Sequence, residues 1–168
     1  GLGDVYKRQV YVERRPASLR PNEWFLAFDH QIAGQELILR CQKKGWRKVA
    51  YFGTTQRGDN TTDSLLEQMT RAAKKEQLEL VTVSADYKLA LNQAFELAHH
   101  CSVYDGVVMQ SSVCTAALRS AFQTLRLKHT PELLTIGSTS ASMPGSDALY
   151  QLDYGQLGLQ AVKLMRNL

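Results

Sequence analysis

Short apolar runs alternate with longer stretches of helical periodicity, and the pattern is clearest between Asp29 and Gly53. Ala33, Leu37 and Cys41 fall at i, i+4 and i+8, with Gly34 and Ile38 alongside, which gives a helix one buried face. Asp29 stands at the N-cap position, Lys43 and Lys44 suit the negative end of the helix dipole, and Gly45 is a natural stop. Residues 49–52 then read as a short buried strand, ended by Gly53 and a polar loop, TTQRGDNTTD.

The same unit repeats downstream. Leu65, Met69, Ala72 and Ala73 form the apolar stripe of the next helix, and Glu67, Arg71, Lys74, Lys75 and Glu76 make its solvated face. Residues 78–83 predict a strand, and Leu91, Ala94, Phe95, Ala98 and Cys101 line the helix after it. Residues 106–109 predict another strand, followed by a helix capped by Ser112 and running to Leu127, with Ala117, Ala121 and Leu125 inward. Residues 133–136 and 148–152 add two strands, and Asp153 caps a last helix with Leu157, Ala161, Leu164 and Leu168 in register. Ahead of all these, residues 10–12 and 24–28 are short strand candidates separated by a loop that two prolines keep extended or turned. The strands are unbroken apolar runs rather than alternating ones, as in a parallel sheet covered on both faces by helices. Strand–helix repeats with right-handed crossovers make the fold α/β. Ligands in such sheets bind just beyond the carboxyl ends of the strands.

Composition narrows the function classes. The apolar share of 44% and charged share of 21% are those of a globular protein. No apolar run approaches the roughly 20 residues that span a bilayer. The net charge of +4 is mild, and the basic residues are scattered among acids, leaving no stripe for direct nucleic-acid binding. Cys41, Cys101 and Cys114 are odd in number and lack CxxC spacing, which fits buried thiols in a reducing, cytoplasmic compartment.

Catalytic motifs are missing. There is no GxGxxG, GxxxxGK[ST] or GxSxG, and Gly155 and Gly158 fall inside a predicted helix. His99 and His100 adjoin Cys101, but neighbouring helical side chains point about 100° apart and do not share one ion. Asp59, Asp63, Asp86 and Asp105 lie at or near loops with no acid–base pairing among them, and Arg57-Gly58-Asp59 reads as a turn. The chain is read as a non-enzyme without metal or cofactor.

The stretch from Asp29 to Gly53, DHQIAGQELILRCQKKGWRKVAYFG, resembles the effector-binding core of the LacI family of bacterial transcription repressors. That family shows Asp, a Gly four or five residues on, an apolar stripe, then Gly-His-Arg-Arg-Ile and an apolar strand ending in Gly. Here GWRKVAYFG fills the second half, with Trp46 in place of His. The ending QLDYGQLGLQAVKLM resembles the family's Gln-Asp, aromatic, Leu-Gly, Ala pattern, with Leu152 inserted between Gln151 and Asp153. YDGVVMQSSVCTAAL and PELLTIGSTS stand in the places of two further family strands and their ligand-facing loops. The similarity spans residues 10–168.

The resemblance implies a periplasmic-binding-protein-like fold: a parallel sheet with helices on both faces, a complete C-terminal subdomain and part of an N-terminal one. The chain is expected to cross between the two near residues 45–48 and again near 148–153. Residues 10–47 then belong to the partial N-terminal subdomain, 48–150 to the C-terminal effector-binding subdomain, and 151–168 to the return segment. Residues 4–9, DVYKRQ, look like the in-frame translation of a sequencing-adaptor end, so residues 1–9 are set aside. The chain is accordingly expected to be N-terminally truncated, without the family's helix-turn-helix headpiece.

By the same resemblance the chain is the effector-sensing domain of a cytoplasmic, homodimeric repressor with no membrane attachment. Its partners would be a small-molecule effector, a carbohydrate or phosphosugar, and operator DNA reached through the headpiece. Tyr87 and Tyr154 occupy positions where family members set an aromatic ring against a sugar face. Gln110 and Ser111 stand where many sugar-responsive members have Asn-Asp, and Ser138 and Thr139 where they have Asp. Asp63 or Leu65 stands where an Arg usually reaches the ligand. These departures bear on the ligand class and leave the fold expectation intact. An exported sugar-binding protein of an uptake system shares the fold and is the alternative; unpaired cysteines weigh against it. A small α/β enzyme is the third class, with no motif behind it.

Overall fold

Asp29 caps its helix as its position in the sequence requires: the carboxylate accepts the Ile32 N–H at 3.1 Å, and α1 runs His30–Lys43. Gly45 ends it with a φ of 79°, a left-handed turn that costs glycine little. The Trp46 N–H closes the end on the Cys41 carbonyl at 3.0 Å. In the computed structural model, which describes residues 9–12, 18–26, 29–53, 60–84, 90–137, 144–152 and 154–167, the strand β3, Lys48–Gly53, follows at once.

Four more strands join β3: β4 Glu79–Ser84, β5 Gly106–Met109, β6 Glu132–Gly137 and β7 Ala148–Gln151. They form one parallel sheet of order β4-β3-β5-β6-β7. The connecting helices are α2 Asn60–Lys75, α3 Ala90–His100 and α4 Ser112–Thr124. Separately, β1 Gln9–Val12 and β2 Glu23–Leu26 make a two-stranded parallel sheet, with α5 Tyr154–Arg166 packed against β1. The strand β1 thus begins at Gln9, the last residue of the segment set aside above.

Consecutive side chains of β3 leave to opposite faces. Val49 and Tyr51 join Leu37, Ile38, Met69 and Val108 under α1 and α2. Ala50 and Phe52 join Leu97, Val107, Met109 and Leu118 under α3 and α4. The helix α1, grouped from the sequence with residues 10–47, shares its core with β3, β6 and β7. It is also stitched to the edge strand β7. The Tyr150 hydroxyl donates to Glu36 Oε2 at 2.6 Å, and the Arg40 guanidinium donates to the Leu149 carbonyl at 3.0 Å. Burial first, and the facing Glu36 carboxylate second, push the Tyr150 hydroxyl pKa up.

Several expectations need correction. The strand β4 is not doubly covered: Glu79, Thr82 and Ser84 are exposed, because β4 is an edge strand with a neighbour on one side only. Leu91 is 57% exposed, while Ala94, Leu97 and Ala98 face the core. The stripe therefore uses Leu97, which the sequence reading passed over. Ser111, not Ser112, caps α4: its backbone is extended and its side chain accepts the Cys114 N–H, so Ser112 is already helical. That helix stops at Thr124 rather than Leu127, since Arg126 turns left-handed at φ 50°. In α5 Leu157 is buried, with Ala161 and Leu164 half-buried; the expected cap Asp153 and the last residue, Leu168, lie outside the described residues. No helix among the described residues is long and apolar enough to cross a membrane.

Candidate functional site

A parallel sheet sends every strand out at the same edge, and the registers align those ends closely. Gly53 lies opposite Ser84, Phe52 opposite Met109, Met109 opposite Thr135, and Gly137 opposite Gln151. Each candidate site residue follows one of these strands in sequence: Asp63 after β3, Tyr87 after β4, Gln110 and Ser111 after β5, Ser138 and Thr139 after β6, Tyr154 after β7. Of these, Tyr87, Ser138 and Thr139 lie outside the described residues. Asp63 belongs to the first turn of α2 and Tyr154 begins α5, and their side chains are outside the description. Gln110 and Ser111 lie among the described residues, between the end of β5 and the start of α4.

Gln110 continues the ladder past the end of β5, with its N–H donating to the Phe52 carbonyl at 3.0 Å. Its side chain lies over Gly53. A Cβ at position 53 would fall 2.8 Å from Gln110 Cβ and Oε1 and 2.9 Å from Tyr51 Cε1, closer than real side chains come. Gly53 is therefore the seat of Gln110, a role its strand-ending position in the sequence does not announce. Only the pairing of β3 with β5 creates it.

Ser111 is committed largely to the helix it starts. Its hydroxyl accepts the Cys114 N–H at 3.4 Å and lies 3.5 Å from Cys114 Sγ as donor. Its carbonyl accepts the Thr115 N–H at 3.1 Å and the Thr115 hydroxyl at 3.2 Å. Thr115 Oγ1 in turn meets Thr135 Oγ1 at 2.7 Å, with both residues fully buried. Sequence reasoning missed both threonines. A Thr in the first turn of a helix and another inside an apolar strand were the signal, but their meeting depends on how α4 lies on the sheet.

The residues that end the five strands, Gly53, Ser84, Met109, Gly137 and Gln151, carry no charge, and neither do Gln110 and Ser111. Among the described residues, charged side chains tie the opposite edge together. Asp105, just before β5, accepts the Lys48 N–H at 2.9 Å and the Arg47 N–H at 2.8 Å. These two bonds, Lys48 first, hold its carboxyl below the usual range. Asp147, just before β7, does the same for the start of β6 through the Leu133 N–H at 2.8 Å, and pairs with Arg119 at 2.7 Å. Both aspartates clip neighbouring strands together at the amino edge, so Asp105 leaves the set of candidate acids.

Among the described residues no group of His, Cys, Asp and Glu is arranged to hold a metal ion. Cys41, Cys101 and Cys114 are buried thiols outside any disulfide, with burial pushing the Cys41 thiol up to about 12. Two grooves lie elsewhere: one of about 350 Å³ between α1 and α2, lined by Gln35, Gln68 and Arg71 among others, and one of about 560 Å³ between β1 and α5, lined by Val10, Tyr11, Val162 and Met165 among others. Neither contains a candidate site residue.

No family model matches the chain, and no curated protein sequence matches it. Solved structures do. The trehalose repressor from Escherichia coli aligns with a TM-score of 0.71 at 20% identity, over 92% of this chain and 59% of its own. A LacI family transcriptional regulator from Enterococcus faecium with bound ribose gives 0.75 at 10% identity, over 99% and 63%. A periplasmic binding protein/LacI transcriptional regulator from Alkaliphilus metalliredigens, complexed with D-xylulofuranose, gives 0.71 at 13% identity, over 92% and 59%. At these identities the likeness is one of fold. The chain shares the α/β architecture of those proteins and spans 59% to 63% of their length.

Proposed function

We propose that this chain is the effector-sensing part of a LacI-type transcriptional regulator, binding a small sugar at the carboxyl edge of its five-stranded sheet. The observation that carries the reading is the alignment of all five strand ends at one edge. That edge carries Gln110 and Ser111, in a fold shared with regulators solved with ribose and D-xylulofuranose. Tyr87 and Tyr154 would stack on the apolar face of the sugar, and Asp63, Gln110, Ser111, Ser138 and Thr139 would bond its hydroxyls.

The core that α1 shares with β3, β6 and β7 supports a boundary between the two units ahead of Asp29, rather than at residues 47–48. On this reading β1, β2 and α5 belong to the second unit, and the chain passes between units after Leu26 and again after Leu152. A ligand seated between the units favours one orientation of them, because it gains contacts only there. In a homodimer that preference would alter the spacing of two helix-turn-helix headpieces, and with it the affinity for operator DNA. The regulator would act in the cytoplasm, without catalysis and without a cofactor.

Calorimetric titration with ribose, D-xylulose and trehalose tests the reading. Saturable binding of one of them, weakened roughly tenfold by Gln110→Ala, is expected for a lost polar contact. No binding of any of the three, or an affinity untouched by that substitution, would overturn it.

A further inference from the structure

We propose that Thr135 is a positioning residue for the ligand edge, holding Gln110 and Ser111 in place from inside the core through the hydroxyl of Thr115. The inference rests on the effector-binding reading given above. Among the described residues, Thr115 and Thr135 are the polar side chains buried completely. Hydroxyls taken out of water cost free energy unless they find partners. Here the partners form a directed chain. The single proton of the Thr115 hydroxyl goes to the Ser111 carbonyl at 3.2 Å, so Thr115 accepts from the Thr135 hydroxyl at 2.7 Å.

The place of this chain in the sheet gives it its consequence. Thr135 lies opposite Met109 in the register of β5 with β6, and Met109 is the residue before Gln110. The first turn of α4 is thereby tied to β6 where β5 releases its polar residues. From the other side, the Gln110 N–H bonds the Phe52 carbonyl at 3.0 Å, and its side chain fills the space over Gly53. Residues 110–111 are thus anchored from both neighbouring strands, by shape and backbone toward β3 and by hydroxyls toward β6. An apolar pair would also hold α4 on the sheet. The hydroxyls add direction, since a hydrogen bond constrains angle and distance where an apolar contact tolerates sliding.

Three variants test this. Thr135→Val removes the donor and Thr135→Ser keeps it. The double variant Thr115→Val/Thr135→Val removes both hydroxyls and leaves neither unsatisfied, so it serves if the single valine variant fails to fold. Hydrogen exchange at the amides of Cys114 and Thr115, both bonded to Ser111, reports on the anchor, and titration with trehalose, ribose and D-xylulose reports on the ligand edge. The valine variants should exchange roughly tenfold faster at these amides, and bind whichever of the sugars the parent binds roughly tenfold more weakly, with Thr135→Ser matching the parent on both. Unchanged exchange in the valine variants overturns the proposal whatever the sugars do. Faster exchange with unchanged affinity also overturns it, leaving a structural bond and nothing more. If the parent binds none of the three sugars, the sugar-sensing reading fails on its own, and the exchange result still decides whether the anchor exists.

Discussion

The benzo ring of Trp46 occupies the space that a side chain at Gly106 would need. Trp46 is 7% exposed; the Lys44 ammonium lies 5.5 Å from its ring centroid and reaches on to Glu132 at 2.7 Å. The indole therefore fills the amino edge of the sheet between the end of α1 and the start of β5. A large ring at position 46, where the resembled family has His, and a glycine at position 106 are two halves of one packing solution.

Gly106→Ala should accordingly destabilise the protein by about 1–3 kcal/mol, the usual cost of forcing an extra methyl into a filled site. Urea denaturation should show a lower midpoint with an unchanged slope. Adding Trp46→His should recover part of the loss, because the smaller ring frees the space, and the two changes should couple rather than add. Strict additivity would mean that the two residues do not contend for that volume.

Asp105 makes a prediction about acid. Its carboxyl is held below its ordinary range by the Lys48 and Arg47 N–H groups, so the folded state binds its proton less readily than the unfolded chain does. The stability this contributes is fully present above the unfolded value, about 4 for aspartate, and fades as pH falls through the lower folded value. Asp105→Asn should be less stable at neutral pH and lose less on acidification. Parallel stability profiles for the two proteins between neutrality and pH 3 would contradict this.

The two adjacent serines separate a cap from a first-turn residue. Ser111→Ala removes the bond to the Cys114 N–H and should cost about 1 kcal/mol. Ser112→Ala should be near neutral, because that residue is already helical and alanine favours the helix. Thermal unfolding of both variants decides it, and equal losses would disprove the assignment.

Thiol chemistry should report burial directly. Desolvation raises the pKa of Cys41 to about 12 and also raises that of Cys101, and Cys114 is buried as well. At pH 8 none of the three should react promptly with an aromatic disulfide reagent in the native protein. All should react in denaturant. A fast native thiol would mean that one of the helices carrying them opens readily.

What the chain dictates by itself is local. Asp29 as cap and Gly45 as stop depend on the backbone of a few neighbouring residues, and both are as the sequence announces. The alternation of strand and helix, the parallel sheet and the burial of Leu37, Met69 and Val108 were legible too, because periodicity records which face each element hides. Of the candidate site, the sequence could say that Gln110 and Ser111 follow a strand. It could not say that Gly53 seats one and that Thr135 anchors the other through Thr115. Those contacts join residues from different strands, and sequence distance carries no information about which strands become neighbours. The exposure of Leu91, the edge position of β4 and the membership of α1 in the core of the larger sheet are of the same kind. Each was decided by the order β4-β3-β5-β6-β7 and by how the helices lie on it, where packing overrides what a short stretch of chain prefers.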